Sequence, residues 1–406
     1  MVSLIRHLHK PERLAVYIRI VILNCMGVTM TTLATSQELT IPPTDVPVAA
    51  ALEVPDEMRL ERSASWQLEQ TGKPAAAPIA AQLSDQPDGK LALCFVVPAG
   101  KGSRRFRLVR ADRPEADAFR FEDVDDKQLR VLGDDGPVLA YNHGNIQAPD
   151  GGESLWRSCY LHPIHGLDGE VLTDDFPSDH RHHRGLFWTW ARVLVGDQEH
   201  DLWALRGCDQ RFDRVLHQDA GAVCATLGVT NRWFAGDTPI VRETVWVRAF
   251  RAGAVGRAID VDLTLEAIDQ IVSIAGREEK GYGGMTLRFG PREDTVITTS
   301  SGKLDADSLR KPFPWADLSA RLRGREQVSG AALFDHPANP GYPNEWMLRH
   351  YGILDCTWPG VELYELKPGE PVRLRYRLWV HRGDVESGKV AAAHHAFVSA
   401  LNVTMR

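Results

Sequence analysis

Through 241–250 and again through 372–380, apolar and polar residues change places at period two. That spacing marks a strand with one face on a core and the other nearer solvent. Further runs of strand length, rich in β-branched and aromatic residues, cover 185–195, 223–233, 258–265 and 285–289, and the alternation at 241–250 sits in a run that starts at 240. Shorter ones lie upstream at 91–97, 105–109, 129–132 and 138–141, with Gly133-Asp134-Asp135-Gly136 forming a turn between the last two. One helix is predicted, over 384–401, with Asp384 or Ser387 as its cap and Ala391-Ala392-Ala393 inside. Many strands, frequent turn signals and a single helix give an all-β fold class: an extended β-sandwich with a small N-terminal β domain and a C-terminal helix.

The pattern divides the chain unevenly. Residues 36–84, rich in Ala, Pro, Ser, Thr and Glu, read as linker because such composition builds little core. Residues 85–145 read as the small β domain or first strands, and 146–402 as the main sandwich. In 1–35, Arg6, Lys10, Arg13 and Arg19 precede the apolar run Ile20-Val21-Ile22-Leu23, the order of a signal peptide. This predicts a periplasmic or secreted protein. A start at Met26 or Met30, and with it a cytoplasmic protein, is the alternative. The apolar run is too short for a membrane span, so no integral membrane role is expected.

Composition narrows the function classes. With 47 Lys plus Arg against 54 Asp plus Glu, the net charge is −7, and the chain offers no basic footprint for nucleic acid. The six Cys, at 25, 94, 159, 208, 224 and 356, include no C-x-x-C and read as buried free thiols.

Histidine is the anomaly. Five of the 15 fall between 162 and 183, at 162, 165, 180, 182 and 183, beside Asp168, Asp174, Asp175, Asp179 and Arg184. Pro163 and Pro177 interrupt ladder pairing, so the segment is expected to be an ordered loop, and long loops in compact domains are commonly functional. In extended backbone His180 and His182 would point to one side and His183 to the other. Two chemistries suit the cluster: His180, His182 and Asp179 as ligands of a divalent metal, or imidazoles in acid–base work with Asp partners. A brace for the loop is the structural alternative.

A second candidate is the rigid turn Asp335-His336-Pro337-Ala338-Asn339-Pro340, followed by Trp346, which offers another carboxylate and imidazole or simply an Asx-type turn. Tyr282-Gly283-Gly284 reads as a bulge unless Arg288 faces a pocket. Trp188, Trp190, Trp203, Trp233, Trp246, Trp346 and Trp358 supply flat faces that suit a sugar, although aromatics in β domains are more often core.

Taken together, Pro177-x-Asp179-His180-x-His182-His183-Arg184-Gly185-Leu-Phe, Tyr282-Gly-Gly284 with Leu287-Arg288, the Asp335-His336-Pro337 turn with Trp346, and Tyr351-Gly352 before Leu366-Lys-Pro-Gly-Glu370 resemble the bacterial PmoA-like family of uncharacterised β proteins. The resemblance runs from about Gln128 to Val385. It implies a supersandwich of the galactose-mutarotase kind, related in shape to sugar epimerase and hydrolase domains. The methane-oxygenase label of that family is not read as a function, because this chain has no series of long apolar spans. The expectation is an exported carbohydrate-active enzyme, a glycoside hydrolase, lyase or epimerase-like protein. His162, Asp179, His182, His183, Asp335 and His336 would be catalytic, and Arg184, Tyr282, Arg288, Asn339 and Trp346 would bind substrate. A metal-dependent hydrolase or oxygenase and a non-catalytic carbohydrate-binding module are the other readings. The expected partner is a carbohydrate or glycoside. No cofactor is required by the sequence except the divalent metal of the second reading.

Overall fold

The computed structural model describes residues 38–73, 76–149, 156–403 and 405. The leader expected in 1–35, and Cys25 with it, lie outside the described residues.

Two nine-stranded antiparallel sheets form the body. The first runs, from edge to edge, Ser308–Pro312, Glu345–Arg349, Ile353–Thr357, Gly283–Arg288, Leu186–Trp190, Tyr160–Ile164, Gly136–Asn142, Gln128–Gly133, Phe119–Val124. The second runs Cys208–Ala220, Cys224–Ala235, Thr238–Phe250, Gly256–Ala267, Val372–Arg382, Val328–Asp335, Trp315–Leu322, Arg292–Thr299, Gly302–Leu304. Because side chains alternate along a strand, Leu186, Trp188 and Trp190 of the first sheet share one core with Val245, Leu263, Leu318 and Leu378 of the second. Burying each such side chain contributes about 1.5–3 kcal/mol.

The outer faces differ. That of the second sheet is covered by a six-stranded sheet, ordered Glu38–Ile41, Arg104–Arg110, Trp66–Gln70, Ile79–Asp85, Leu91–Val97, Val48–Glu53, and by the helix Val390–Ala400. Phe95 and Phe106 meet Phe250, Phe334, Trp379 and Phe397 there. The outer face of the first sheet carries Tyr160, Phe187, Met347 and Ile353, packed with Ala191 and Trp203 in a small separate cluster. This face holds the histidine loop.

Three expectations need correction. Residues 36–84 are not a linker: four of the six strands of the small sheet lie there. The prolines bound strands rather than prevent them, with Pro42 after Ile41, Pro47 before Val48 and Pro78 before Ile79, the positions where a missing N–H costs no ladder bond. The small domain therefore spans 38–110, and strands from Phe119 onward belong to the main sandwich. The helix starts at Val390 rather than near Asp384, whose carboxylate instead accepts the Ser387 N–H at 2.8 Å in a preceding turn. Its buried Val390, Ala393, Ala396, Phe397 and Ala400 follow the spacing of one helical face.

Candidate functional site

The strand Tyr160–Ile164 loses register between Leu161 and Ile164, where His162-Pro163 cannot complete the ladder. The chain then leaves the sheet and returns at Leu186. On the way, His180 N–H donates to the Pro177 carbonyl (3.2 Å) and His183 N–H to the His180 carbonyl (2.9 Å). The histidine run is therefore two successive tight turns, not extended backbone, and the expected opposition of His183 to its neighbours is wrong. His180 stacks flat on His183 (centroids 4.6 Å, planes 2° apart) and on Tyr351 (4.7 Å). His182 stands edge-on to His183 at 4.6 Å. Trp203 meets His183 edge-on at 5.5 Å, Phe187 at 5.2 Å and Tyr282 at 4.9 Å.

These groups open into one cavity of about 360 Å³, lined by His180, His182, His183, Trp203, Lys280, Tyr282, Met347, Arg349 and Tyr351. The volume lies in the range of ligand pockets. The floor is set by sheet register: Phe187 pairs with Thr286, Thr286 with Asp355, and Asp355 with Met347, one row across four strands. Gly284 allows these strands to approach. Its φ is +136°, and a Cβ there would lie 2.3 Å from the Cys356 carbonyl oxygen. The two glycines pair in unbroken register with Trp190 and Thr189, so they form a close strand approach and not the expected bulge.

The electrostatics are unusual. Burial, then Arg157, His180, Arg184 and Arg206, push His182 down to about 4. Burial and its histidine neighbours push His183 lower still, and its Nδ1 has no hydrogen-bond partner among the described residues. Both imidazoles are neutral at pH 7. Arg157 is 1% exposed, donates to the Leu202 and Trp203 carbonyls (3.0 and 2.7 Å), and keeps Nε and Nη1 unpartnered among the described residues. Asp355 is fully buried, accepts from the Gly283 N–H (3.1 Å) and Thr286 hydroxyl (2.9 Å), and is pushed by burial up to about 7.

The expected site residues divide. His182, His183 and Tyr282 line the cavity, and the metal candidate His180 joins them. Asp179 and Arg288 sit beside it: Asp179 contacts His180 Nδ1 at 3.1 Å and accepts from Arg288 at 2.7 Å, and Arg288 lies 5.3 Å from the Tyr351 ring centroid. Although burial raises Asp179, these two partners hold it below the usual carboxylate range. His162 does not line the cavity; its Nδ1 contacts the Thr173 hydroxyl at 2.9 Å, and burial lowers it to about 4. Arg184 is fully buried rather than a substrate ligand. It donates to the Arg181 and His183 carbonyls (2.8 and 2.5 Å), lies 3.4 Å from Asp175, and covers the Phe176 ring. It positions the loop.

Asp335, His336 and Asn339 belong to a different place, at the end of Val328–Asp335, an interior strand of the second sheet. Asp335 accepts from Asn339 Nδ2 and from the Asn344 backbone and side-chain amides, and Asn339 exchanges two hydrogen bonds with Arg375 backbone. His336 Nδ1 accepts from the Ala338 N–H. The turn consumes its own polar groups, which is the Asx-type alternative. Trp346 is buried in the main core and donates to the Phe313 carbonyl, so it binds no substrate there. The metal reading lacks its geometry: among the described residues no three His, Cys, Asp or Glu are grouped to hold an ion. Arg157, Lys280, Arg349 and Asp355 were not singled out by sequence. Asp355 alone left a trace, as a carboxylate inside the apolar run Ile353-Leu354-Asp355-Cys356.

A family sequence model described as "Family of unknown function (DUF6807)" matches residues 128–395. The chain belongs to this family. The DUF6807 match takes in the whole histidine loop and every strand of the cavity floor, and leaves out the six-stranded N-terminal sheet. No curated protein matches the chain. Among solved structures, a galactose mutarotase related enzyme from Lactobacillus acidophilus is similar at 9% identity, with 65% of this chain and 97% of that one covered and a TM-score of 0.31. The described residues contain no helix long and apolar enough to cross a membrane.

Proposed function

We propose that this DUF6807 protein binds a carbohydrate in the cavity on the outer face of the first sheet and acts on it by proton transfer through imidazole. The observation that carries this reading is the juxtaposition, in one sugar-sized cavity, of the aromatic side chains of Tyr282 and Tyr351, backed by the buried Trp203, with the neutral imidazole of His182 and, buried behind it, that of His183. Aromatic faces take the apolar side of a sugar ring, and a neutral imidazole accepts protons or hydrogen bonds from its hydroxyls. Glycoside hydrolysis of the usual kind needs two carboxylates flanking the bond, and no carboxylate is among the lining residues. Lyase or epimerase-like chemistry fits better than hydrolysis. The export expectation, supported by the order of basic and apolar residues in 6–23, is part of this proposal, and fractionation of cells making the full chain tests it.

The direct test is a panel of mono- and oligosaccharides assayed for binding and for product, with wild type and His182→Ala. Product from wild type alone supports the enzyme. Binding without product, unchanged in the variant, would leave a carbohydrate-binding module.

A further inference from the structure

The charge of this cavity narrows its substrate. Lys280 and Arg349 line it. The acids nearest them in sequence or contact stay off the lining: Glu278 pairs with Arg192 at 3.3 Å, Glu279 is exposed, and Asp307 meets Arg349 at 3.3 Å from outside. Among the charged groups that act most on His182 are Arg157, Arg184 and Arg206, and on His183 Arg288 and Arg157; Asp175 lies against Arg184 and Asp179 against Arg288, but neither acid lines the cavity. Arg157 is in addition buried with two donors unpartnered among the described residues. A cavity with cations on its wall and behind its imidazoles favours an anion. Its aromatic faces favour a ring.

Resting on the carbohydrate reading above, we propose that the substrate is a saccharide bearing a uronate, and that the reaction is β-elimination at that sugar. The cations hold the carboxylate and take up the charge that develops on it when the adjacent carbon loses its proton. His182 takes the proton from C5. The C5–H electron pair forms the C4–C5 double bond, the C4–O bond breaks, and the oxygen departs with its pair and takes the proton of the Tyr351 hydroxyl. His182 and Tyr351 then return to their resting states by passing one proton from imidazolium to phenolate through water. The step is redox-neutral and needs no co-reactant. Carboxylate binding also resolves an apparent mismatch, because an anion beside His182 offsets its cationic neighbours and makes the imidazole a stronger base when substrate is present.

The experiment uses the full chain with polygalacturonate, alginate, a neutral glucan and a sulfated galactan. Affinity is read by calorimetry, and elimination by the ultraviolet absorbance of a double bond conjugated to the carboxylate. Uronate polymers are expected to bind about tenfold or more tightly than the glucan, the size of one charge-assisted contact, and to give the absorbance. Lys280→Gln, at an exposed position that does not threaten folding, is expected to weaken uronate binding about tenfold. His182→Gln should abolish the absorbance with uronate affinity kept within a few fold. A preference for the glucan or the sulfated galactan overturns the proposal, as does uronate binding without an unsaturated product. If no saccharide binds at all, the carbohydrate reading itself fails; if only neutral ones bind and react, that reading stands and this one falls.

Discussion

Arg288 Nη2 and Asp179 Oδ1 meet at 2.7 Å, joining the floor of the first sheet to the loop that carries the histidines. The other Asp179 oxygen contacts His180, the ring that stacks on both His183 and Tyr351, so one carboxylate touches both the sheet floor and the stack. Asp179→Asn would leave a guanidinium that is 6% exposed at its side chain without its charged partner. A loss of about 1–3 kcal/mol is expected, measured by urea denaturation. Saccharide affinity should fall with it, because His180 is no longer held. Unchanged stability and affinity would show that the pair does not hold the loop.

The histidines make a kinetic prediction. The acid limb of kcat/KM reports groups of the free enzyme, and that of kcat reports the bound complex. With His182 at about 4, in the company of His180, His183, Arg157, Arg184 and Arg206, the limb of kcat/KM is expected near pH 4 and not near the ordinary imidazole value of about 6.5. With an anionic substrate the kcat limb should lie higher. Coincident limbs near 6.5 would contradict the neutral, cation-flanked imidazole.

Stability should vary with pH through two opposed groups. His162, His182, His336 and His394 are all lowered to about 4, chiefly by burial. Between about pH 6.5 and 4 the unfolded chain therefore binds more protons, and their contribution is lost as pH falls. Asp355, raised to about 7, runs the other way: the folded chain holds the extra proton from about pH 4 to 7, so its contribution is full at acid pH and lost as pH rises through 7. Asp355→Asn removes that charge and keeps an acceptor for Gly283. Its melting temperature relative to wild type should rise from about pH 6 to pH 8, and a constant difference would place the Asp355 titration elsewhere.

Two substitutions separate the cavity of the first sheet from the Asp335 turn. Tyr282→Ala removes an aromatic face and is expected to weaken saccharide binding by about 1 kcal/mol or more, while His336→Ala, after the end of an interior strand of the second sheet, should leave affinity unchanged. Equal effects from both would mean that the cavity is not the binding site. Asp335→Ala strands the donors of Asn339 and Asn344 and should cost about 2 kcal/mol or more in thermal or chemical denaturation.

Long strands of the second sheet were legible because period-two alternation persists over Thr238–Phe250 and Val372–Arg382. The small domain was not, because Ala49, Ala50 and Ala81 bury small side chains under the helix and neighbouring strands, and a composition of Ala and Pro carries little periodic signal. The clumped histidines led to the cavity, yet their mutual geometry depended on turns that extended-chain reasoning could not supply. Lys280 and Arg349 stand alone in sequence, and only the sheet brings them together with the loop. The Asp335 turn misled because a carboxylate held by the Asn339 and Asn344 amides, and an imidazole held by the Ala338 N–H, look in sequence like a set waiting for a ligand.

Along Leu186–Trp190 and Gly283–Arg288 the residues facing the cavity alternate with those filling the main core. Adding or deleting a single residue in either strand would exchange the two sets, driving Trp188 outward and Phe187 inward, or exchanging Leu287 with Arg288. The specificity of this cavity can therefore diversify by substitution within its strands but by change of length only in its loops, at 165–183 and 276–282. Relatives should differ in length there and remain strictly in phase across the floor.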